Sequence, residues 1–272
     1  MQAASREALA VAIHDLDERT GSTSAKTLRQ LAGELFDLAA VLLRERTLRR
    51  LLADPATAPS ERTRLADTVF GGKISDATME TLTGLVSARW SHPGDLVDTV
   101  ELLARRALLT AAEQDGSLED VEDELFRFAR VLDSEVRLRE LLTDTEQPVE
   151  RRQELLGTLV SGKVRPVTLE LLRQAVRLRH DRPLDAVVND LAELAAARRE
   201  RSVARVTAAA PLTAEHEQRL ADALSRIYGR AVSVQVELDP DQLGGLVIRV
   251  GDEVIDGSIA TRLAQARQEL SG

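Results

Sequence analysis

Cysteine is absent from this 272-residue chain, which excludes thiol catalysis, thiolate-bound metal and disulfide bonds. A chain built without cysteine fits a reducing compartment. Aromatic residues are scarce: four Phe, one Tyr and one Trp. The cores are therefore expected to be aliphatic, made of Leu, Val and Ala. No long apolar run occurs. Stretches such as "LAAVLL" (Leu38 to Leu43) fall far short of the ~20 residues that span a bilayer. The opening "MQAASREALAVAIHDLDERTG" carries early acids and no long apolar segment, unlike a signal peptide. The chain is expected to remain in the cytoplasm, with no direct membrane insertion. Positive charge is also in deficit. A net charge of −9 repels phosphate backbones, so nucleic acid is not expected as a partner, nor is a bare membrane surface.

Catalytic constellations are missing as well. His14, His92, His180 and His216 are scattered, and none stands four residues from another. Gly-x-Ser-x-Gly, His-Glu-x-x-His and Gly-x-Gly-x-x-Gly do not occur. His92 and His180 are expected at the C-terminal ends of long helices, where an imidazolium complements the dipole. Trp90, the single Trp, is expected as a core or helix-end anchor. No cofactor or metal is expected.

Helix is the dominant signal in what is present. Ala, Leu, Arg and Glu are all strong helix formers. Leu28, Leu31, Ala32, Leu35, Phe36, Leu38, Ala39 and Leu42 form one wide stripe at helical spacing. Similar stripes run over Met79 to Val86, Leu96 to Leu109, Val121 to Leu132, Leu169 to Leu178 and Leu184 to Ala197. Each of the eight prolines sits at the edge of such a segment, where it does not cost the ~3 kcal/mol of a helix-interior proline.

The first two thirds repeat. "ELFDLAAVLLRERTLRRLLAD" (Glu34 to Asp54) and "ELFRFARVLDSEVRLRELLTD" (Glu124 to Asp144) are offset by 90 positions and about half identical. The same offset carries "GGKIS" (Gly71 to Ser75) onto "SGKVR" (Ser161 to Arg165), and Pro93 onto Pro183. One helical unit therefore occurs twice: a long helix, two short ones, then two more long ones. A helix precedes each copy, Ser5 to Arg19 in the first and roughly Val100 to Gln114 in the second. Leu96 to Gln114 is expected to be one rod that closes copy one and opens copy two. "GGKIS" is not a P-loop, because Lys73 is followed by Ile74, Lys163 by Val164, and no strand precedes either. Gly71 and Gly72 are expected to end one helix, and Ser75 or Asp76 to cap the next.

The pattern changes after about Arg201. "SVARVTAA" alternates and is β-branched. Thr213 then caps a helix expected to bury Leu220, Leu224 and Ile227, with Gly229 closing it. Val232, Val234, Val236 and Leu238 alternate with polar residues, the period of a strand with one wet face. "GLVIRV" makes a second strand, Gly251-Asp252 a tight turn, and "EVIDGS" a third strand. A last helix capped by Asp256 or Ser258 would bury Ile259, Leu263, Ala266 and Leu270. Gly244 and Gly245 follow the turn starter Asp239-Pro240 and precede a strand. A phosphate loop opens a helix instead, so a turn and hairpin fit and nucleotide binding does not. The expected architecture is mainly α: two tandem antiparallel helical bundles, 1–104 and 105–201, with a helix shared near 96–114, then a small α/β domain, 202–272.

"DPDQLGGLVIRVGDEVIDGSIATRLAQARQEL" resembles the C-terminal signature of the delta subunit of bacterial F-type ATP synthase, relative of the mitochondrial oligomycin-sensitivity-conferring protein. Asp239, Pro240, Gly244, Gly245, Gly251, Asp252, Asp256 and Ser258 carry the likeness. Gln242 stands where an apolar residue is usual, and Leu243 at the Ile position. "ARRALLTAAEQDG", "ERRQELLGTLVSGKV" and "PVTLELLRQAVRLRH" are also similar to that family. The likeness covers roughly 100–272, and the first hundred residues look like the second helical copy of the longer actinobacterial form.

The resemblance implies a non-catalytic peripheral-stalk subunit on the cytoplasmic face of the membrane, tying the head to the stalk against rotor torque. A helical bundle would grip the amphipathic N-terminal helix of an alpha subunit, and the C-terminal domain would hold the end of a separate b subunit. In family terms the groove lies between the first and fifth helices of a bundle. That implies Leu108 and Leu109 facing Leu169, Leu172 and Val176 in copy two, and Leu9 and Ile13 facing Leu82 and Val86 in copy one; core packing competes for each. The two copies are expected to dock differently. A general helical adaptor for other cytoplasmic proteins is the alternative.

Overall fold

The computed structural model describes residues 1–20, 23–178, 182–201, 203–228, 232–239, 244–251 and 253–257. Contacts divide the chain into Met1–Ala195 and Ala196–Gly272. The first unit is helical: α1 (Ala3–Thr20), α2 (Ala25–Arg44), α3 (Arg46–Leu52), α4 (Pro59–Phe70), α5 (Asp76–Ser87), α6 (Pro93–Gln114), α7 (Leu118–Ser134), α8 (Val136–Thr143), α9 (Val149–Val160), α10 (Pro166–Arg177) and α11 (Leu184–Arg201). The division falls inside α11. At the repeat offset α1–α6 map onto α6–α11, so α6 closes copy one as its sixth helix and opens copy two as its first, with α5 and α10 the fifth helices. The helices before each turn of the repeat, α4 and α5, are equally long, unlike the short-then-long order expected. All eight residues of the Leu28–Leu42 stripe are buried. One continuous apolar core runs from Ala8 to Ala195, so the boundary drawn between the copies lies within the single helix α6.

Helix α6 organises this unit. The Arg29–Asp115 ion pair sets the start of α2 beside the end of α6, making them antiparallel. Along α1, Ser5 Oγ donates to Asp95 at 2.6 Å, Arg106 pairs with Asp17 at 2.6 Å, and Gln114 Nε2 donates to the Thr23 carbonyl beyond the helix end at 2.9 Å. These three links run in step, so α1 lies parallel to α6. Trp90 is buried and donates Nε1–H to the Leu85 carbonyl at 2.8 Å, the expected anchor. His92 does not end a helix. It is the N-cap of α6, because Pro93 has no N–H to lose and starts that helix. A cation there would oppose the dipole. His180 lies outside the described residues.

Each copy clamps its fifth helix at both ends. The Glu34 carboxylate on α2 accepts from Ser75 N–H at 2.9 Å, Ser75 Oγ at 2.6 Å and Thr78 Oγ1 at 2.5 Å, across the N-terminus of α5. Ser75 also caps α5, accepting from Thr78 N–H. In copy two, Glu124 accepts from Arg165 N–H at 2.8 Å and Thr168 Oγ1 at 2.6 Å, before α10. At the other end of α5, Arg62 donates to the Ala88 carbonyl at 2.8 Å and the Ser87 carbonyl at 3.4 Å. Arg152 donates to the Val176 carbonyl at the end of α10 at 3.1 Å. An anion at the first turn and a cation at the last both complement the macrodipole.

Burial pushes the Glu34 carboxyl up, but the Ser75 and Thr78 hydroxyls, Gln30 and the Ser75 N–H outweigh it and hold the pKa at about 2, against an ordinary 4.5. A depressed carboxylate stabilises the fold above its unfolded pKa and loses that contribution as pH falls toward its folded pKa. Because the carboxylate is only partly buried, solvent screening leaves the shift worth roughly 1 kcal/mol. Urea unfolding should find Glu34→Gln less stable than wild type by about that amount at pH 5–6. The gap should close between pH 4.5 and about 2. A constant gap across that window would disprove the assignment.

The second unit holds β1 (Val203–Ala208), α12 (Ala214–Tyr228), β2 (Ser233–Leu238), β3 (Leu246–Val250) and β4 (Glu253–Asp256) in a sheet of order β2-β1-β3-β4. The β1–β2 pair is parallel, joined by α12 as its crossover; β1–β3 and β3–β4 are antiparallel. Thr213 Oγ1 accepts from His216 N–H at 3.3 Å, the expected cap. Ala204, Val206, Ala208, Leu224, Val232, Ile248 and Val250 fill its small core. Leu220 is half-buried. Ile227 and Leu238, expected inside, are 68% and 56% exposed. With one described helix on a four-stranded sheet, the core does not extend to the last turn of α12 or the last residue of edge strand β2. The closing Gly229 and the terminal helix with Ile259, Leu263, Ala266 and Leu270 lie outside the described residues.

Candidate functional site

A shallow depression lies between α1 and α5. Ala8, Val11, Ala12, Asp15 and Arg19 form one wall, and Thr81, Gly84, Leu85 and Ala88 the other; Leu103 of α6 is the floor of a depression of about 30 Å³. Val11 is 55% exposed beside it. Small residues line both walls, which lets a helical backbone approach closely. A Cβ placed on Gly84 would meet nothing within 4 Å.

The corresponding place in copy two is closed. There α6 plays the first helix and α10 the fifth. Arg106 to Ala112 are seven consecutive buried residues, so α6 has no free face over two turns. At the repeat offset, Gly84 becomes Gln174 and Ala88 becomes Leu178, both buried. Gln174 Nε2 donates to Glu170 at 2.7 Å. Arg177 beside it reaches across to Asp37 of α2 at 2.7 Å, tying copy one over this edge of copy two.

The groove residues expected from sequence fall differently. Leu82 and Val86, Leu108 and Leu109, and Leu172 and Val176 are all buried in the core. Leu9, Ile13 and Leu169 are half-buried. Beside α1, the open positions on α5 are Gly84 and Ala88, one face around from Leu82 and Val86, while Thr81 is buried. A helical stripe of large apolar residues marks the core, whereas Gly and Ala leave no hydrophobic signal. The exception that could have been read is the contrast between Gly84 and Gln174 within the repeat itself.

The family-signature residues shape the second unit. Asp239 donates its N–H to the Ala208 carbonyl at 3.0 Å. Gly244 and Gly245 have φ of 131° and 84°, a region that side-chain-bearing residues rarely adopt, and lead into β3. They open no helix, as the sequence indicated. Gly251, φ 58°, turns the chain toward β4, at whose exposed end Asp256 lies. Pro240, Asp252 and Ser258 are outside the described residues. Gly244 and Gly245 flank an apolar cavity of about 640 Å³, with Leu212, Leu220, Ala223 and Leu246 also on its walls.

The lysines of "GGKIS" and "SGKVR" are turned back onto the backbone. Lys73 Nζ donates to the Val69 carbonyl at 2.7 Å, and Lys163 Nζ to the Leu159 carbonyl at 3.0 Å, so each lysine caps the helix before it. Lys73→Ala should change stability by less than about 0.5 kcal/mol and leave no nucleotide turnover to lose. ATP hydrolysis by the pure chain that vanishes in this variant would contradict that.

Residues 104–270 match the family described as ATP synthase delta (OSCP) subunit. The chain belongs to that family. It is 45% identical to the ATP synthase subunit delta of Streptomyces griseus over 272 residues, covering all of both chains. It is 44% identical to that of Nocardia farcinica, over 98% of this chain and 96% of the relative. An ATP synthase subunit b-delta of Mycobacterium sp. (strain KMS) is 44% identical over 99% of this chain, which spans 61% of that longer protein. A chain of the Toxoplasma gondii mitochondrial ATP synthase hexamer aligns at 22% identity over 62% of this chain and 95% of that one, with a TM-score of 0.33, too low to bear on the fold. As a delta-family chain, this one is a non-catalytic component of the ATP synthase peripheral stalk. The long actinobacterial form with two helical copies extends over the full length of the Streptomyces relative.

Proposed function

We propose that this delta chain is a mechanical tether. It holds the alpha subunits of the catalytic head to the b subunit on the cytoplasmic face of the membrane, so that the head does not turn with the rotor. The observation that carries this reading is the shallow α1/α5 depression, lined by small residues, within a chain of the delta family. An amphipathic helix fits such a depression by laying its apolar face against the wall. The alpha subunit's N-terminal helix is the occupant, and copy one is its receptor. Copy two, with Gln174 and Leu178 in place of Gly84 and Ala88, serves as the brace that holds α6 and α2 rigid. The second unit takes the end of the b subunit. The b-delta relatives support this, because their name joins the two subunits in one protein.

Torque transmission requires slow dissociation. Affinities of an interface are tuned chiefly through the off-rate, and a nanomolar contact corresponds to about −12 kcal/mol. Among the described residues no helix is long and apolar enough to cross a membrane, so the tether's force is carried through docked surfaces. The test is depletion of this chain from its own cells. Membranes should then lose proton-driven ATP synthesis while the detached head keeps hydrolysing ATP, and the tagged chain should co-purify with alpha and b. Coupled synthesis without this chain would refute the tether.

A further inference from the structure

We propose that the open face of the second unit's sheet is a carboxylate receptor. Arg205 and Arg249 take an acidic group on the end of the b subunit. The identity of the partner rests on the stalk reading; the chemistry of the pocket does not.

The strands place the arginines by their period. Ala204, Val206 and Ala208 of β1 are buried, and so are Ile248 and Val250 of β3. Side chains alternate along a strand, so Arg205 and Arg249 emerge on the opposite, exposed face. The antiparallel register then sets Arg205 directly across from Arg249. Directly opposed side chains have Cβ atoms roughly 5 Å apart, and like charges there repel. Among the described residues neither has an ion-pair or side-chain hydrogen-bond partner.

The two arginines line a cavity of about 160 Å³ together with Arg199, Glu200 and Gln235. Arg205 and Arg249 thus put two guanidinium groups side by side at this pocket, in a chain whose net charge is −9. Guanidinium groups bind carboxylates through two parallel N–H donors. An arriving carboxylate would neutralise the repulsion that the free sheet carries. Gln235, opposite Arg205 on β2, adds an amide donor at the rim. A role in the fold itself does not account for the pair, because opposed like charges weaken a sheet.

The experiment uses the full chain and the purified cytoplasmic part of the b subunit. Acetate titrated into labelled protein should shift the Nε–Hε signals of Arg205 and Arg249 and leave that of Arg219 in place. Arg205→Ala with Arg249→Ala should bind b at least tenfold more weakly, while the melting temperature stays the same or rises. Replacing the acidic residues at the end of b by their amides should weaken wild-type binding equally and cause no further loss in the double variant. Undiminished affinity of the double variant for b would overturn the proposal, even if inorganic phosphate occupied the pocket. So would a fall in melting temperature that accounts for the lost binding. Failure of b to bind the wild-type chain would instead sink the stalk reading, with the acetate shifts still deciding the pocket.

Discussion

Arg62→Ala is expected to destabilise the helical unit by about 3–5 kcal/mol, the largest effect of any single polar residue here. Arg62 is only 2% exposed and is the largest fully buried side chain. It crosses from α4 to donate to two carbonyls at the end of α5. Truncation removes the donor to those two carbonyls and opens a cavity where the buried stem packed, and the cavity contributes most of the loss. Burial draws the Arg62 pKa below its ordinary value, with Asp54 opposing the shift. The guanidinium remains charged, and its contribution persists across the physiological range. Arg62→Met keeps most of the stem volume and should recover about half of the loss. Arg152→Ala repeats the experiment in copy two, where Arg152 reaches the Val176 carbonyl. Urea unfolding with linear extrapolation measures all three. A loss under about 1 kcal/mol for Arg62→Ala would mean that the helix end is satisfied without it.

The clamp and the stripes show why the fold was readable and the candidate docking surface less so. Periodicity fixes which side of a helix is apolar, and on α2 it named every buried residue. It also anticipated that α6 runs unbroken from one copy into the next. Periodicity does not say what covers the apolar side. Leu82, Val86, Leu172 and Val176 look like groove residues because they are large and apolar, and they are buried for that same reason. The accessible wall on α5 consists of Gly84 and Ala88, which helical stripes pass over. Closure of the second copy depends on α2 lying along α6, a tertiary event that no local pattern encodes. His92 shows the opposite case. Pro93 was there to mark a helix start, and the N-cap position followed from it. In the second unit, alternation located the strands, but the exposed Ile227 and Leu238 depended on how far a small core reaches.

Gly84→Leu should weaken docking of the alpha subunit's N-terminal helix by roughly 100-fold while leaving the chain at least as stable as wild type. A glycine inside a helix costs up to about 1 kcal/mol relative to a strong helix former. Nothing lies within 4 Å of the added Cβ, so the free protein takes the new side chain without strain. The leucine then fills the space a partner backbone would use, between Gly84 and the Val11 wall. Loss of a contact at the centre of an interface costs about 2–4 kcal/mol, so affinity should fall by roughly 100-fold. The repeat supplies its own control. Gln174→Leu alters the equivalent position of copy two, where the side chain is already buried and α6 is covered from Arg106 to Ala112. Its affinity for the alpha helix should stay within about threefold, a difference of under 1 kcal/mol. Titration of a synthetic alpha N-terminal peptide into each variant, beside thermal unfolding, separates the outcomes. Equal losses at 84 and 174 would mean that both copies dock alike. Unchanged binding in Gly84→Leu would move the receptor off the α1/α5 groove. The expected asymmetry would mean that duplication left this chain with one helix-binding groove and converted the other into structure.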